Sequence, residues 1–220
     1  MEILWLSLAA LLLAGCGTCY LHCGSVTPEE GERVKLNTLF SRRTLWTVGI
    51  LGAVLGACAV IWACRYYGNG LLHGLRLLFL LEWLLVIALI DLKCYVIQNR
   101  VLLAGLLAAV LLLAVQWLLG ASLTALLRDS LLGLLLGLAV FGLCALLSRG
   151  GMGAGDVKLF ALLGLLLGWQ GCFNVILFSV LGMALCGIVL MLLKRKNRRS
   201  LLPMGPFALF GMVVSLLLGI

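Results

Sequence analysis

The chain has 220 residues, of which 64% are hydrophobic and 11% charged, far below the quarter or so of charged residues that a soluble domain carries. An ordinary soluble enzyme is thereby excluded, because the apolar residues come in blocks of membrane-spanning length rather than scattered over a core. Lys and Arg outnumber Asp and Glu by 16 to 8, a net charge of +8, but the basic residues lie between the apolar blocks, which is the pattern of membrane topology and not of a nucleic-acid-binding face.

In chain order, the first apolar block is 3–21. Leu13-Ala14-Gly15-Cys16 has the look of a lipoprotein processing box, yet the chain begins Met1-Glu2 and has no Lys or Arg before Arg33. A cleaved signal needs a positive start, so 3–21 reads as a retained span, with processing of residues 1–16 the open alternative. Residues 22–45 form a short polar excursion. Further spans are expected at 46–64, 72–90, 101–119, 124–147, 157–169, 172–193 and 203–220. The fold class is therefore all-α, a polytopic transmembrane helical bundle of about eight spans. It forms one membrane-embedded domain over 1–220, with 72–220 as its core, and no strand pattern is apparent. Of the nine cysteines, Cys58, Cys144, Cys172 and Cys186 fall in apolar blocks and behave as small hydrophobes. Cys16, Cys19 and Cys23 cluster without the second CxxC pair that a four-thiolate zinc site requires. No metal and no cofactor is expected.

Positive charge sets the orientation. The run Lys194, Arg195, Lys196, Arg198 and Arg199 is expected on the cytoplasmic side. Counting spans back puts 22–45, 91–100 and 148–158 on that side too, with thirteen of the sixteen basic residues. Asp91, closing the third span, and Asp156, opening the sixth, then share the cytoplasmic side, although neither was used to place the spans. The sixth span is short, roughly 20 Å at 1.5 Å per residue against a hydrocarbon core of about 30 Å. If its far end, Trp169-Gln170-Gly171, sits at the outer interface, Asp156 is recessed. Irregular backbone at that depth requires a protein-lined or wet cavity.

The chemistry concentrates in two places. In Gly150-Gly151-Met152-Gly153-Ala154-Gly155-Asp156-Val157-Lys158, four glycines precede a carboxylate, and glycine lets another chain approach the backbone closely. Packing glycines, common in membrane helices, are the blander reading. In Leu89-Ile90-Asp91-Leu92-Lys93, followed by Gln98-Asn99-Arg100, an acid ends an apolar span; alone it could be an ordinary interfacial residue. Two recessed acids on one side are costly and functional by default. A pair of carboxylates can hydrolyse a peptide by sharing one proton: the ionised member takes a proton from water and the protonated member polarises the carbonyl. Neither residue can be assigned the proton from sequence.

These residues resemble the prepilin peptidase (type IV leader peptidase) family, related to the GxGD intramembrane aspartyl proteases such as presenilin. Gly153-Ala154-Gly155-Asp156 matches GxGD, Leu89-Ile90-Asp91-Leu92 the first aspartate motif, and Leu202-Pro203-Met204-Gly205-Pro206-Phe207 the closing Pro-x-Gly-Pro-Phe segment. The likeness covers about residues 80–220. It implies Asp91 and Asp156 as the catalytic pair. It implies a substrate-binding loop from Gly151, Gly153, Gly155, Lys158, Pro203, Gly205 and Pro206, with Glu82 and Asn99 as candidate support. The implied substrates are pilin-like precursors, cut at the cytoplasmic face of a bacterial inner or plasma membrane; the lipid bilayer is the other partner, and no nucleic acid is involved. Two departures stand out. Gln98 occupies the place of the family's proline, so the loop there is expected to differ. Segment 22–45 lacks the paired CxxC motifs of long members that also N-methylate their product, which favours peptidase activity alone. Taken without the resemblance, the same aspartates would also suit a small proton- or cation-coupled transporter, although no inverted repeat is seen, or a structural subunit indifferent to both acids. Lys158 is expected to snorkel to the interface, and Glu82 to pair with Arg76 or His73, support the site or pack.

Overall fold

The computed structural model describes residues 12, 16–21, 25–26, 34–35, 49, 52, 56, 71–148, 152–193 and 202–218. The chain divides into two compact units, Met1–Val96 and Ile97–Ile220.

In the first unit, helix α1 (Leu71–Cys94) contains the expected third span. It is leucine-rich and free of proline and carries a well-buried stripe of Leu78, Leu80, Leu84, Ile87 and Ile90. Small residues elsewhere in the unit let the chain close on it: a Cβ at Gly17 would come 3.0 Å from Val86, and one at Gly52 would come 2.8 Å from a carboxylate oxygen of Glu82. The helix ends where Tyr95, at φ 53°, returns its N–H to the Asp91 carbonyl (2.9 Å). A left-handed residue is a common helix stop, usually glycine because a Cβ is crowded there. The polar excursion departs from an all-helical fold: strand β1 (Ser25–Val26) pairs antiparallel with β2 (Val34–Lys35), Val26 opposite Val34. A two-residue ladder is too short to leave the alternation by which strands are read from sequence. Most of the expected spans 3–21 and 46–64 lies outside the described residues; those described there, 12, 16–21, 49, 52 and 56, are helical.

The second unit begins with α2 (Asn99–Leu118) and α3 (Leu123–Leu147). The turn between them is a Schellman closure. Gly120 takes φ 95°, its N–H reaches the Trp117 carbonyl, and the Ala121 N–H reaches the Gln116 carbonyl. Two more helices follow, α4 (Ala154–Leu192) and α5 (Gly205–Leu218).

Helix α4 is two helices joined at Gly168, where φ is 76° and ψ −177°. The halves double back on each other. The Cys172 thiol lies 3.9 Å from the Phe160 carbonyl oxygen, whereas twelve residues of straight helix would hold them about 18 Å apart. The sixth and seventh spans expected from sequence are these two halves, with the break one residue earlier than Trp169-Gln170-Gly171.

Glycine lets α3 and the first half of α4 meet backbone to backbone. A Cβ at Gly133 would strike the Gly164 carbonyl oxygen, a Cβ at Gly164 would strike that of Gly133, and one at Gly137 would strike the Phe160 carbonyl. Beside this seam Phe141 stacks on Phe160, centroids 3.9 Å apart. The second half of α4 carries α5 by similar means, with Gly211 against Ser179 and Val175, and Gly182 against Phe210.

The outward faces are leucine. Leu107, Leu111 and Leu146 are each more than three-fifths exposed, a surface suited to lipid and not to water. Three of the described helices (α2, α3 and α4) are long and apolar enough to cross a membrane, and α5 is a shorter apolar helix. The expected count of about eight spans is not reached on the described residues.

Candidate active site

Asp91 sits on the last turn of α1 and is buried, 4% exposed. Cys94 follows on the same turn, beyond the expected span 72–90. Burial pushes its thiol up, and the Asp91 charge pushes it further. Removing that charge lowers the thiol's pKa toward its ordinary value and enlarges the thiolate fraction at neutral pH. Asp91→Asn is therefore expected to speed alkylation of Cys94, followed by peptide mapping; an unchanged rate would mean that Asp91 carries no charge that the thiol feels. Glu82 is buried on the same helix but does not belong with Asp91. Nine residues of helix put the two on opposite faces, about 13.5 Å apart along the axis, and Glu82 faces Gly52.

Asp156 opens α4. Gly153 is the N-cap, with extended φ −70° and ψ 139°, and the Asp156 N–H closes the first turn on the Gly153 carbonyl at 3.1 Å. The carboxylate is thus the third residue of a helix, where the helix dipole favours negative charge. It folds back toward the cap, one of its oxygens 3.4 Å from where a Cβ of residue 153 would stand. Asp156 is half-buried.

The loop that follows the first aspartate motif packs on this turn. A Cβ at Gly155 would come 3.0 Å from the Ile97 Cβ, so glycine lets the loop lie flat against the helix. Lys158 donates a hydrogen bond from Nζ to the Asn99 side-chain oxygen, 3.1 Å. The exposed Lys158 reaches Asn99 by this bond, which ties the candidate support residue Asn99 to the turn that carries Asp156. Gln98, in the place of the family's proline, has φ −72° and ψ 131° as the N-cap of α2. A proline would impose nearly the same φ, so the expected departure in loop geometry is absent at this residue. Gln98→Pro is expected to leave the fold of the second unit intact, because the φ of Gln98 already suits proline, read by thermal unfolding in detergent; loss of folded protein would show that the proline position is not equivalent.

The closing motif lies at the same end of the second unit. Phe160 is one turn from Asp156 and level with Cys172. Gly182, ten residues further along α4, faces Phe210 and Phe207 of α5. From the level of Phe160, Asp156 lies about 6 Å and Gly182 about 15 Å toward one end, so α5 starts with Gly205 and Pro206 on the Asp156 side of the unit and further out than Asp156 itself. Gly151 and the basic run 194–199 lie outside the described residues.

A family model described as the type IV leader peptidase family matches residues 78–191, a stretch that contains both aspartates. The chain belongs to the type IV leader peptidase family. It is 31% identical, over 94% of its own length and 84% of the relative's, to a prepilin leader peptidase/N-methyltransferase of Bacillus subtilis (strain 168). Over a shorter stretch of 74 residues, 34% of this chain, it is 42% identical to proteins of the same name from Aeromonas salmonicida (strain A449) and Aeromonas hydrophila, covering 25% and 26% of those chains. No solved structure matches. The chain is thus a membrane protein of a peptidase family.

One polar residue escaped the sequence reading. Asp129, within the expected span 124–147, accepts a hydrogen bond from the Trp169 backbone N–H at 3.4 Å. The signal was available, an acid inside an apolar block, and is the same signal that singled out Asp91.

Proposed function

We propose that this peptidase removes the short basic leader from pilin-like precursors at the cytoplasmic face of a bacterial inner or plasma membrane, using Asp91 and Asp156. Water adds to the scissile carbonyl as one carboxylate takes its proton and the other protonates the carbonyl oxygen. Collapse of the tetrahedral intermediate breaks the C–N bond, the leaving nitrogen taking up a proton from the pair. Such a pair needs no metal and no other nucleophile.

The observation that carries this reading is the Asp156 turn: a carboxylate at a helix N-terminus, behind a glycine N-cap, braced by Ile97 and by the Lys158–Asn99 bond. The exposed Gly153 N-cap leaves room for an extended substrate segment beside the acid, whereas Gly155 is covered by Ile97; Pro203, Gly205 and Pro206 are the further candidates for holding that segment. The family and the names of its relatives support pilin-like substrates. The short 22–45 segment, without paired CxxC motifs, supports peptidase activity alone. The bias of basic residues supports the cytoplasmic orientation.

The test is co-expression with pilin-like precursors from the same genome, following leader loss by gel shift. Wild type is expected to cut at the glycine preceding the precursor's apolar helix, and neither Asp91→Asn nor Asp156→Asn to cut. Cleavage surviving both substitutions would sink the mechanism. A folded wild type that cuts no precursor would favour the transporter.

A further inference from the structure

The reversal at Gly168 has an anchor outside its own helix. Where α4 restarts, its first backbone N–H groups have no carbonyl one turn earlier to bond. One of them, at Trp169, donates to the Asp129 carboxylate from the first turns of α3. The other carboxylate oxygen fills the space that a Cβ at residue 168 would need. Gly168 is therefore required twice, for its positive φ and for the room it gives Asp129. A negative charge at a helix start is also favoured by the dipole. Beside this contact lies an open cavity of about 690 Å³ whose lining includes Ser122, Arg128, Asp129 and Trp169, so the anchor is reached from the end of the unit remote from Asp156.

We propose that Asp129 is a positioning residue for the peptidase reaction: by capping the restart of α4 at Trp169 it fixes the reversal that holds the half-helix bearing Asp156. This rests on the reading that Asp156 is catalytic. The connection is mechanical. The reversal brings Cys172 against Phe160, one turn from Asp156, and the second half of α4 carries α5, which begins with Gly205 and Pro206. A turn that slips by one residue rotates the second half by about 100°, which moves Cys172 off Phe160 and shifts α5, carried by that half, relative to the Asp156 half-helix. Asp129 touches neither substrate nor the reacting atoms.

The experiment uses the full chain in detergent micelles with a purified pilin-like precursor. Hydrogen exchange of the peptide containing Trp169 and Gln170 reads the cap, and kcat and KM read the consequence. Asp129→Ala is expected to speed exchange at Trp169 by about fivefold, the effect of losing one helix cap. It is expected to lower kcat by about 100-fold, as a misplaced catalytic group does, with KM nearly unchanged. Asp129→Asn, which keeps an acceptor oxygen, is expected to restore most of both. If Asp129→Ala does not accumulate, Asp129→Glu carries the test, because it keeps the charge but displaces the acceptor; faster exchange and lower kcat are expected there too. Wild-type exchange and wild-type kcat in the folded variant would overturn the proposal, as would faster exchange with unchanged kcat, which would leave a cap with no bearing on the reaction. Asp156→Asn, run alongside, separates the two ideas. Full cleavage by that variant would remove the catalytic reading of Asp156, while the exchange of Trp169 would still report on the Asp129 bond.

Discussion

Asp91→Asn, Asp156→Asn and the double substitution are expected to lose leader cleavage to the same floor, about 10³-fold or more below wild type. The equality of the three follows from a shared proton. A pair that works as one acid and one base is disabled by losing either member, so the second substitution has little left to remove. Two independent contributors would instead multiply, and the double variant would fall far below either single one. Asn keeps the size and a hydrogen-bonding oxygen of Asp, so folded protein should accumulate and the loss can be assigned to chemistry. Asp156→Glu distinguishes the transporter reading, since a longer carboxylate would retain transport with altered coupling but would misplace a general base. The measurement is an initial-rate cleavage assay with precursor in excess, normalised to folded enzyme.

The second large effect is structural. Gly133→Leu or Gly164→Leu is expected to abolish the folded second unit, at a cost of about 3 kcal/mol or more. A side chain at either position runs into the carbonyl of the other, and backbone cannot step aside as a flexible side chain can. Gly142→Leu is the control, on the same helix as Gly133, where an added Cβ meets nothing within 4 Å; it should accumulate and unfold like wild type. Folded yield in detergent, followed by thermal unfolding, reads all three. Normal accumulation of Gly133→Leu would mean that α3 and α4 are not in backbone contact.

Helices α2 and α3 were legible almost to the residue, because uninterrupted leucine-rich blocks bounded by Gln98-Asn99, Gly120 and Ser148 leave no other element to form. The expected spans 157–169 and 172–193 put the break at Trp169-Gln170-Gly171, whereas the chain turns at Gly168. A positive φ leaves no mark in composition when 27 glycines are present, and what selects Gly168 is an acceptor from Asp129, forty residues earlier. Gly133-Gly137 and Gly164-Gly168 stand four apart in the sequence, but only the fold says that Gly133 meets Gly164 and Gly168 and that Gly137 meets Phe160. Around the candidate site, the GxGD motif led to Asp156 through the chemistry it implies. The Lys158–Asn99 bond was hidden because it joins residues fifty-nine apart. The nine-residue spacing already set Glu82 on the face opposite Asp91, but that it is buried against Gly52 came only from the fold.

The half-helix from Ala154 to Gly168 is about 21 Å long at 1.5 Å per residue, against a hydrocarbon layer of about 30 Å. An apolar element that falls short of its bilayer must thin the surrounding lipid, or admit water at one end. Thinning beside this half-helix would bring headgroups, and with them the basic leader and polar cleavage segment of a precursor, down to the level of Asp156 while the precursor's own helix stayed in oil. With Asp156 catalytic as proposed, the acyl-chain length of the host membrane would become a parameter of catalysis: short-chain bilayers would match the half-helix, and long-chain bilayers would deepen the well into which a substrate's polar backbone has to descend.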